Sequence, residues 1–200
     1  MRLTVGWILA AVLLAGCAGN PDLTVIAPKG MSLPSAGRAL LVVPAADLER
    51  AFTYDLNLVT KETTDISEGK ALADSALLVL SKVFRQVEAN KPDIHPHFVV
   101  RVQGTAKWDR NGGRYHMTCR FDLYNGTGDP IGIFAASLVP SPRLGDFKDT
   151  LPQAYADCLK VAADKFVASP EFKEIYDAGF PEPNVVAQRS YLRAIGFSVR

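Results

Sequence analysis

Residues 97–126, "HFVVRVQGTAKWDRNGGRYHMTCRFDLYNG", decide the fold, because two runs of strict alternation flank one turn signal. Phe98, Val100, Val102, Gly104, Ala106 and Trp108 alternate with Val99, Arg101, Gln103, Thr105, Lys107 and Asp109. Past the turn, Tyr115, Met117, Cys119, Phe121 and Leu123 alternate with Arg114, His116, Thr118, Arg120 and Asp122. A period of two sends successive side chains to opposite faces, so each run is a strand with one apolar and one polar face. Asn-Gly is the preferred centre of a two-residue type I′ turn, where both positions need positive φ. With Asn111-Gly112 as that turn, Trp108 faces Tyr115, Ala106 faces Met117, Gly104 faces Cys119 and Val102 faces Phe121. On the other face Asp109 meets Arg114 and Arg101 meets Asp122. Apolar then meets apolar and charge meets countercharge, which is the condition that specifies register.

Outward from this hairpin, "IGIFAASLV" (131–139) reads as a third antiparallel strand reached through the turn residues "NGTGDP". Upstream, "RALLVVPA" (38–45) is a short continuous apolar run, the pattern of a strand buried on both faces. "AFTYDLNLVT" (51–60) alternates as a half-buried strand. Residues 65–90 change to helical spacing: Ala73, Ala76, Leu77, Leu80, Val83, Phe84 and Val87 share a face, Asp65 and Glu68 form a capping-box-like start, and Asn90-Lys91-Pro92 stops the run. A second helix begins at the capping box Thr150 to Gln153, with Pro152 in its first turn and a buried stripe of Leu151, Tyr155, Cys158, Leu159, Ala162 and Phe166. Ser169-Pro170 ends it and opens a short third helix. The expected fold is α+β, a two-layer sandwich: a mainly antiparallel sheet of about five strands with two amphipathic helices on one face. It occupies residues 39–169, and 170–200 form a helical or irregular tail.

The amino-terminal end has its own pattern. Met1-Arg2 precedes "LTVGWILAAVLLAG", an uncharged stretch of about 14 residues. That is short of the ~20 a spanning helix needs and has the build of a secretory signal peptide over residues 1–16. Its last residues with the next, Leu14-Ala15-Gly16-Cys17, resemble the lipobox of bacterial lipoproteins. The resemblance implies a diacylglycerol thioether on Cys17, cleavage before it and acylation of the freed amine. The alternative is an ordinary signal cut near Ala18. Two or three acyl chains hold a protein at a bilayer essentially permanently, at about 0.8 kcal/mol per buried methylene. Ala18 in the second mature position resembles an outer-membrane address, which places the domain in the periplasm. Residues 17–38, rich in Pro and Gly, read as a tether with an r.m.s. span of about 25 Å and a reach of ~65 Å. The element order is also loosely similar to small domains of envelope-assembly lipoproteins, at fold level only.

Charge and motifs narrow the chemistry. Of 22 Lys and Arg against 21 Asp and Glu, removal of residues 1–16 takes away Arg2 and leaves the two signs equal. No field gathers nucleic acid. His95 and His97 share a strand face, yet no third and fourth ligand stand at zinc spacing, and the register puts His116 opposite Lys107, so no metal and no cofactor is expected. Cys119 and His116 differ by an odd number on one strand and point to opposite faces, which excludes a Cys-His nucleophile pair. No G-x-S-x-G, Walker or G-x-G-x-x-G motif stands in its structural context. Cys119 and Cys158 both face the interior; they either form a disulfide contributing about 3 to 4 kcal/mol or stay as two buried thiols. The polar face of the hairpin, with Arg101, Lys107, Arg114, His116 and Arg120, is basic and flat. It is the expected contact for an anionic partner, an envelope protein or glycolipid. The chain is therefore expected to be a non-catalytic outer-membrane lipoprotein, an accessory in envelope assembly, transport or scaffolding. The alternatives are a membrane-tethered enzyme on cell-wall or lipid substrates, or a carrier with an apolar ligand between sheet and helices.

Overall fold

A computed structural model describes residues 23–55, 63–90, 95–109, 114–140 and 147–197. The elements run β1 (Ser35–Val42), α1 (Ala45–Leu48), β2 (Ala51–Asp55), β3 (Thr63–Ser67), α2 (Glu68–Val83), β4 (Phe84–Ala89), β5 (Phe98–Asp109), β6 (Arg114–Asn125), β7 (Pro130–Leu138), α3 (Phe147–Val167), α4 (Pro170–Asp177) and α5 (Val185–Ala194). The fold is α+β, with a five-stranded sheet of order β4-β1-β5-β6-β7 and a separate ribbon of β2 and β3.

The hairpin holds the register its alternation dictates: Trp108 opposite Tyr115, Gly104 opposite Cys119, Arg101 opposite Asp122 and Asp109 opposite Arg114. The Asn111-Gly112 turn itself lies outside the described residues. The apolar face of β5 and β6 is buried from Phe98 to Val102 and from Tyr115 to Leu123, under α2 and α3, which also pack on each other. Between these layers Phe84, Phe98, Phe166 and Phe172 form one ring cluster, with Phe166 and Phe172 centroids 4.5 Å apart. Ring pairs at such distances add to burial through their complementary edges and faces.

The sheet is mixed rather than mainly antiparallel, since β4 and β5 both run parallel to β1. The helical spacing of 65–90 continues through Phe84 and Val87, but the chain leaves α2 directly into extended backbone at Phe84 (φ −120, ψ 143) and forms β4. Pairing β1 on its second side decides the competition: an unpaired edge beside a buried strand strands its N–H and C=O groups, and a parallel neighbour needs a crossover helix, which α2 supplies. β2 is correspondingly absent from the main sheet. It pairs with β3, Ala51 opposite Ser67, and Asp65 sits in that ribbon; α2 starts after Ser67. α3 starts at Phe147, ahead of the capping box, and holds Pro152 inside.

The apolar run of β1 is buried on both faces, as its composition predicts. Ala39 and Leu41 join the main core, while Leu40 packs with Val99 and Leu192 under α5 on the opposite face. The carboxyl-terminal segment is thus the second cover of the sheet. Asn184 caps α5 by accepting from the N–H groups of Val186 and Ala187, and Ser169 caps α4 by accepting from Phe172. The Pro/Gly-rich stretch packs earlier than its composition predicts. Leu23 and Val25 are buried, the Ile26 N–H donates to Asp164 Oδ1, and the Ser32 N–H donates to the Tyr176 hydroxyl. Cys17 and the signal segment lie outside the described residues. No helix among those described is long and apolar enough to cross a membrane.

Candidate functional site

β1 pairs with β5 only as far as Val42 opposite Arg101, so among the described residues the next stretch of β5 has no strand on that side. Side chains take its place. Arg50 Nη2 donates to the Gly104 carbonyl at 2.6 Å, and Glu68 Oε1 accepts from the Ala106 N–H at 3.0 Å. Arg50 Nε donates to Glu68 Oε2 at 2.7 Å, and the Tyr155 hydroxyl donates to Glu68 Oε1. Burial opposes the Arg50 charge, but the Glu68 carboxylate beside it carries the guanidinium pKa above its usual value. Burial, reinforced by the hydrogen bond to Glu68, pushes the Tyr155 phenol well up and keeps it a donor. Gly69 allows this arrangement: its N–H donates to the Arg50 carbonyl, and a Cβ there would lie 1.8 Å from the Asp47 carbonyl oxygen.

Arg50 and Asp47 form one wall of a cavity of about 430 Å³ whose floor is the outer face of the hairpin: Arg101, Gln103, Thr105, Thr118 and Arg120. A second cavity of about 340 Å³ opens beyond Arg101, between the sheet and α5, and is lined by Val42, Pro44, Val99, Tyr124, Tyr191 and Ile195. Arg101 lines both. The second cavity is walled by two tyrosines with centroids 6.2 Å apart.

The position of α5 is set by several local devices. Gln188, fully buried, donates from Nε2 to the Pro96 carbonyl at 2.9 Å, and its Oε1 lies 2.9 Å from His95 Nδ1. The β6–β7 turn is tied by Asn125 Oδ1, which accepts from the N–H groups of Thr127 and Asp129. Gly128 there has φ +96, and a Cβ on it would stand 2.3 Å from the Tyr191 ring. The tyrosine therefore lies directly on glycine backbone.

The expected partner-binding residues share the outer face but differ in circumstance. Arg101 is exposed and has no hydrogen-bond or ion-pair partner among the described residues, since the Asp122 carboxylate opposite it is taken by Arg120 at 3.1 Å. Lys107 and Arg114 are exposed further along, and His116 Nε2 is 3.9 Å from Asp109 Oδ2. His95 and His97 hold the scaffold. His97 Nδ1 accepts from the Arg38 N–H at 3.0 Å, and burial, together with the Arg38 charge, lowers its pKa. The Arg38 hydrogen bond at 2.6 Å in turn lowers the Glu182 pKa.

Cys119 and Cys158 are buried free thiols rather than the disulfide that the sequence also allows. Cys158 Sγ is 3.7 Å from the Ala136 carbonyl oxygen, and the neighbouring Cys158 thiol together with burial pushes the Cys119 thiol far up. Protonated thiols of this kind are inert and pack as small hydrophobes.

Periodicity places Tyr155 on the buried stripe of its helix but does not reach its hydroxyl's partner, and the roles of Glu68 and Arg50, and of Tyr191 and Ile195 in the tail, escape it. One signal was available: Glu68 precedes Leu72, Ala76, Val79 and Val83 on the buried stripe of α2, where a carboxylate needs partners.

The chain matches no protein-family model and no curated protein. Among solved structures it is similar to a PelC dodecamer from Paraburkholderia phytofirmans, at 13% identity and a TM-score of 0.39, over 70% of this chain and 96% of that one. It is also similar to a crystal structure of an uncharacterized protein, at 14% identity and a TM-score of 0.42, over 69% of this chain and 97% of that one.

Proposed function

We propose that this chain is a non-catalytic, lipid-anchored binding module of the bacterial envelope, held by acylated Cys17 on the inner leaflet of the outer membrane and acting in the periplasm as an accessory to assembly, transport or scaffolding. Its contact surface is the basic outer face of the β5–β6 hairpin. One observation carries the reading: Arg101 presents a guanidinium without a partner among the described residues from the central strand β5 at the junction of two cavities. A cation with no partner of its own gains more from an incoming anion than one already paired. The Arg50–Glu68–Tyr155 cluster supports a structural role, because its groups are spent on the open edge of β5. The interface between the sheet and α2/α3, where an apolar cargo would sit, is filled by side chains such as Tyr155, Leu72, Phe98 and Phe166.

Cross-linking in intact envelopes followed by affinity capture tests the proposal. The double variant Arg101→Glu/Lys107→Glu reverses two exposed charges and spares Arg120, whose loss would leave the buried Asp122 unpaired. A single stoichiometric partner retained by the native chain and lost by the double variant, with the melting temperature unchanged, supports the contact face. Equal capture by both proteins rejects it.

A further inference from the structure

The two cavities that meet at Arg101 differ in chemistry. On one side lie hydroxyl and amide groups on the floor of the larger cavity, from Gln103, Thr105 and Thr118. On the other lies the apolar and aromatic pocket closed by Tyr124 and Tyr191. Both volumes, about 430 and 340 Å³, fall in the range of about 300–1,000 Å³ typical of small-molecule sites. We propose that the cleft is a saccharide site for an acidic glycan, with one sugar ring seated against Tyr124 and Tyr191, its carboxylate on Arg101, and the hydroxyls of the next residue over Gln103, Thr105 and Thr118. The inference rests on the reading of this face as the contact with an anionic envelope component.

Charge selects the anion. Three guanidinium groups line the larger cavity, but Arg50 is committed to Glu68 and Asp47 and Arg120 to Asp122, which leaves Arg101 as the guanidinium there that has no carboxylate partner among the described residues. One positive charge with a planar fork matches one carboxylate, whereas a phosphate brings about −1.5 to −2 and calls for more than one free cation. Polar groups beside an aromatic wall select a ligand that is itself half polar and half apolar. A sugar ring is such a body, with hydroxyls at its rim and C–H bonds on its faces, and tyrosine offers the matching apolar ring with a polar tip. The pocket is also preformed: Gln188, the Asn184 cap and Leu192 hold α5 in place, and the Tyr191 ring rests on Gly128. A wall fixed before binding lowers the ordering cost of the complex.

Isothermal titration of the detergent-solubilised full-length protein with trigalacturonic acid decides the matter, with its methyl ester and inorganic phosphate as comparison probes. The acid should bind saturably. The ester, Arg101→Gln and Tyr191→Ala should each weaken binding about tenfold or more, while Lys82→Gln, exposed on α2 and lining neither cavity, leaves it unchanged. Should Tyr191→Ala fail to fold, Arg101→Gln and the ester carry the test alone. No saturation at millimolar trimer, equal affinity for acid and ester, or competition by phosphate at the same concentration as the acid overturns the saccharide site. Loss of partner capture in the Arg101→Glu/Lys107→Glu variant without any trimer binding refutes the cleft and leaves the contact face standing. Trimer binding with capture intact in that variant does the reverse.

Discussion

At the scale of the residue, Glu68 is a buried carboxylate held by three donors. It is 5% exposed in the first turn of α2, where an isolated carboxylate costs several kcal/mol of desolvation. It is tolerated because Arg50, Tyr155 and the Ala106 N–H all donate to it. Removing it leaves a partly buried guanidinium, a buried phenol and a strand N–H without their acceptor. Glu68→Ala should therefore lower the unfolding free energy by about 3 kcal/mol or more, and Tyr155→Phe by about 1 kcal/mol. The exposed pair Lys70–Asp74, broken by Lys70→Ala, should change it by less than about 0.5 kcal/mol. Urea unfolding at neutral pH separates these ranks; a Glu68→Ala protein as stable as the native chain contradicts the assignment. The sequence marked the oddity but not its resolution. Glu68 stands visibly on an apolar stripe, yet its partners lie 18 and 87 residues away, at separations local periodicity does not reach.

Among the elements, α5 does the most unexpected work. Leu192 is 1% exposed, and burying such a side chain contributes about 1.5–3 kcal/mol, which anchors a ten-residue helix to the second face of the sheet. The turn under it is a sharp probe. Gly128→Ala forces a Cβ into the Tyr191 ring at a φ of +96, whereas Gly179→Ala meets only its own φ of +74, with no atom within 4 Å. Both should show a backbone cost of about 1–3 kcal/mol, and only Gly128→Ala should speed amide hydrogen exchange across α5. Equal exchange in the two variants removes the link between turn and helix. The hairpin register was legible because rungs such as Trp108–Tyr115, Val102–Phe121, Arg101–Asp122 and Asp109–Arg114 carried their own chemical match and one Asn-Gly set the phase. β4 was not, because Phe84 and Val87 continue the helical spacing of α2, and the demand that makes them a strand belongs to β1, far upstream. The double burial of β1 was readable in its composition, but its second cover was hidden in a tail whose sequence shows only a short stripe of Gln188 and Leu192.

For the whole molecule, packing of the amino-terminal segment changes the geometry of anchoring. Leu23 and Val25 are buried, so on the proposed acylation of Cys17 the covalent distance from the lipid to the first packed residue is at most about 20 Å in place of ~65 Å. The proposal then places the domain close to the bilayer and requires a partner that reaches Arg101 near that surface. Lipid attachment is the premise on which this arrangement stands. The most direct measurement is the intact mass of the full-length protein extracted by detergent from its native envelope, with fragmentation of its amino-terminal peptide. The account predicts a mature chain beginning at Cys17 and carrying a thioether diacylglycerol and an amide-linked acyl group; an unacylated chain that begins at Ala18 or beyond and leaves the cell on osmotic shock contradicts it.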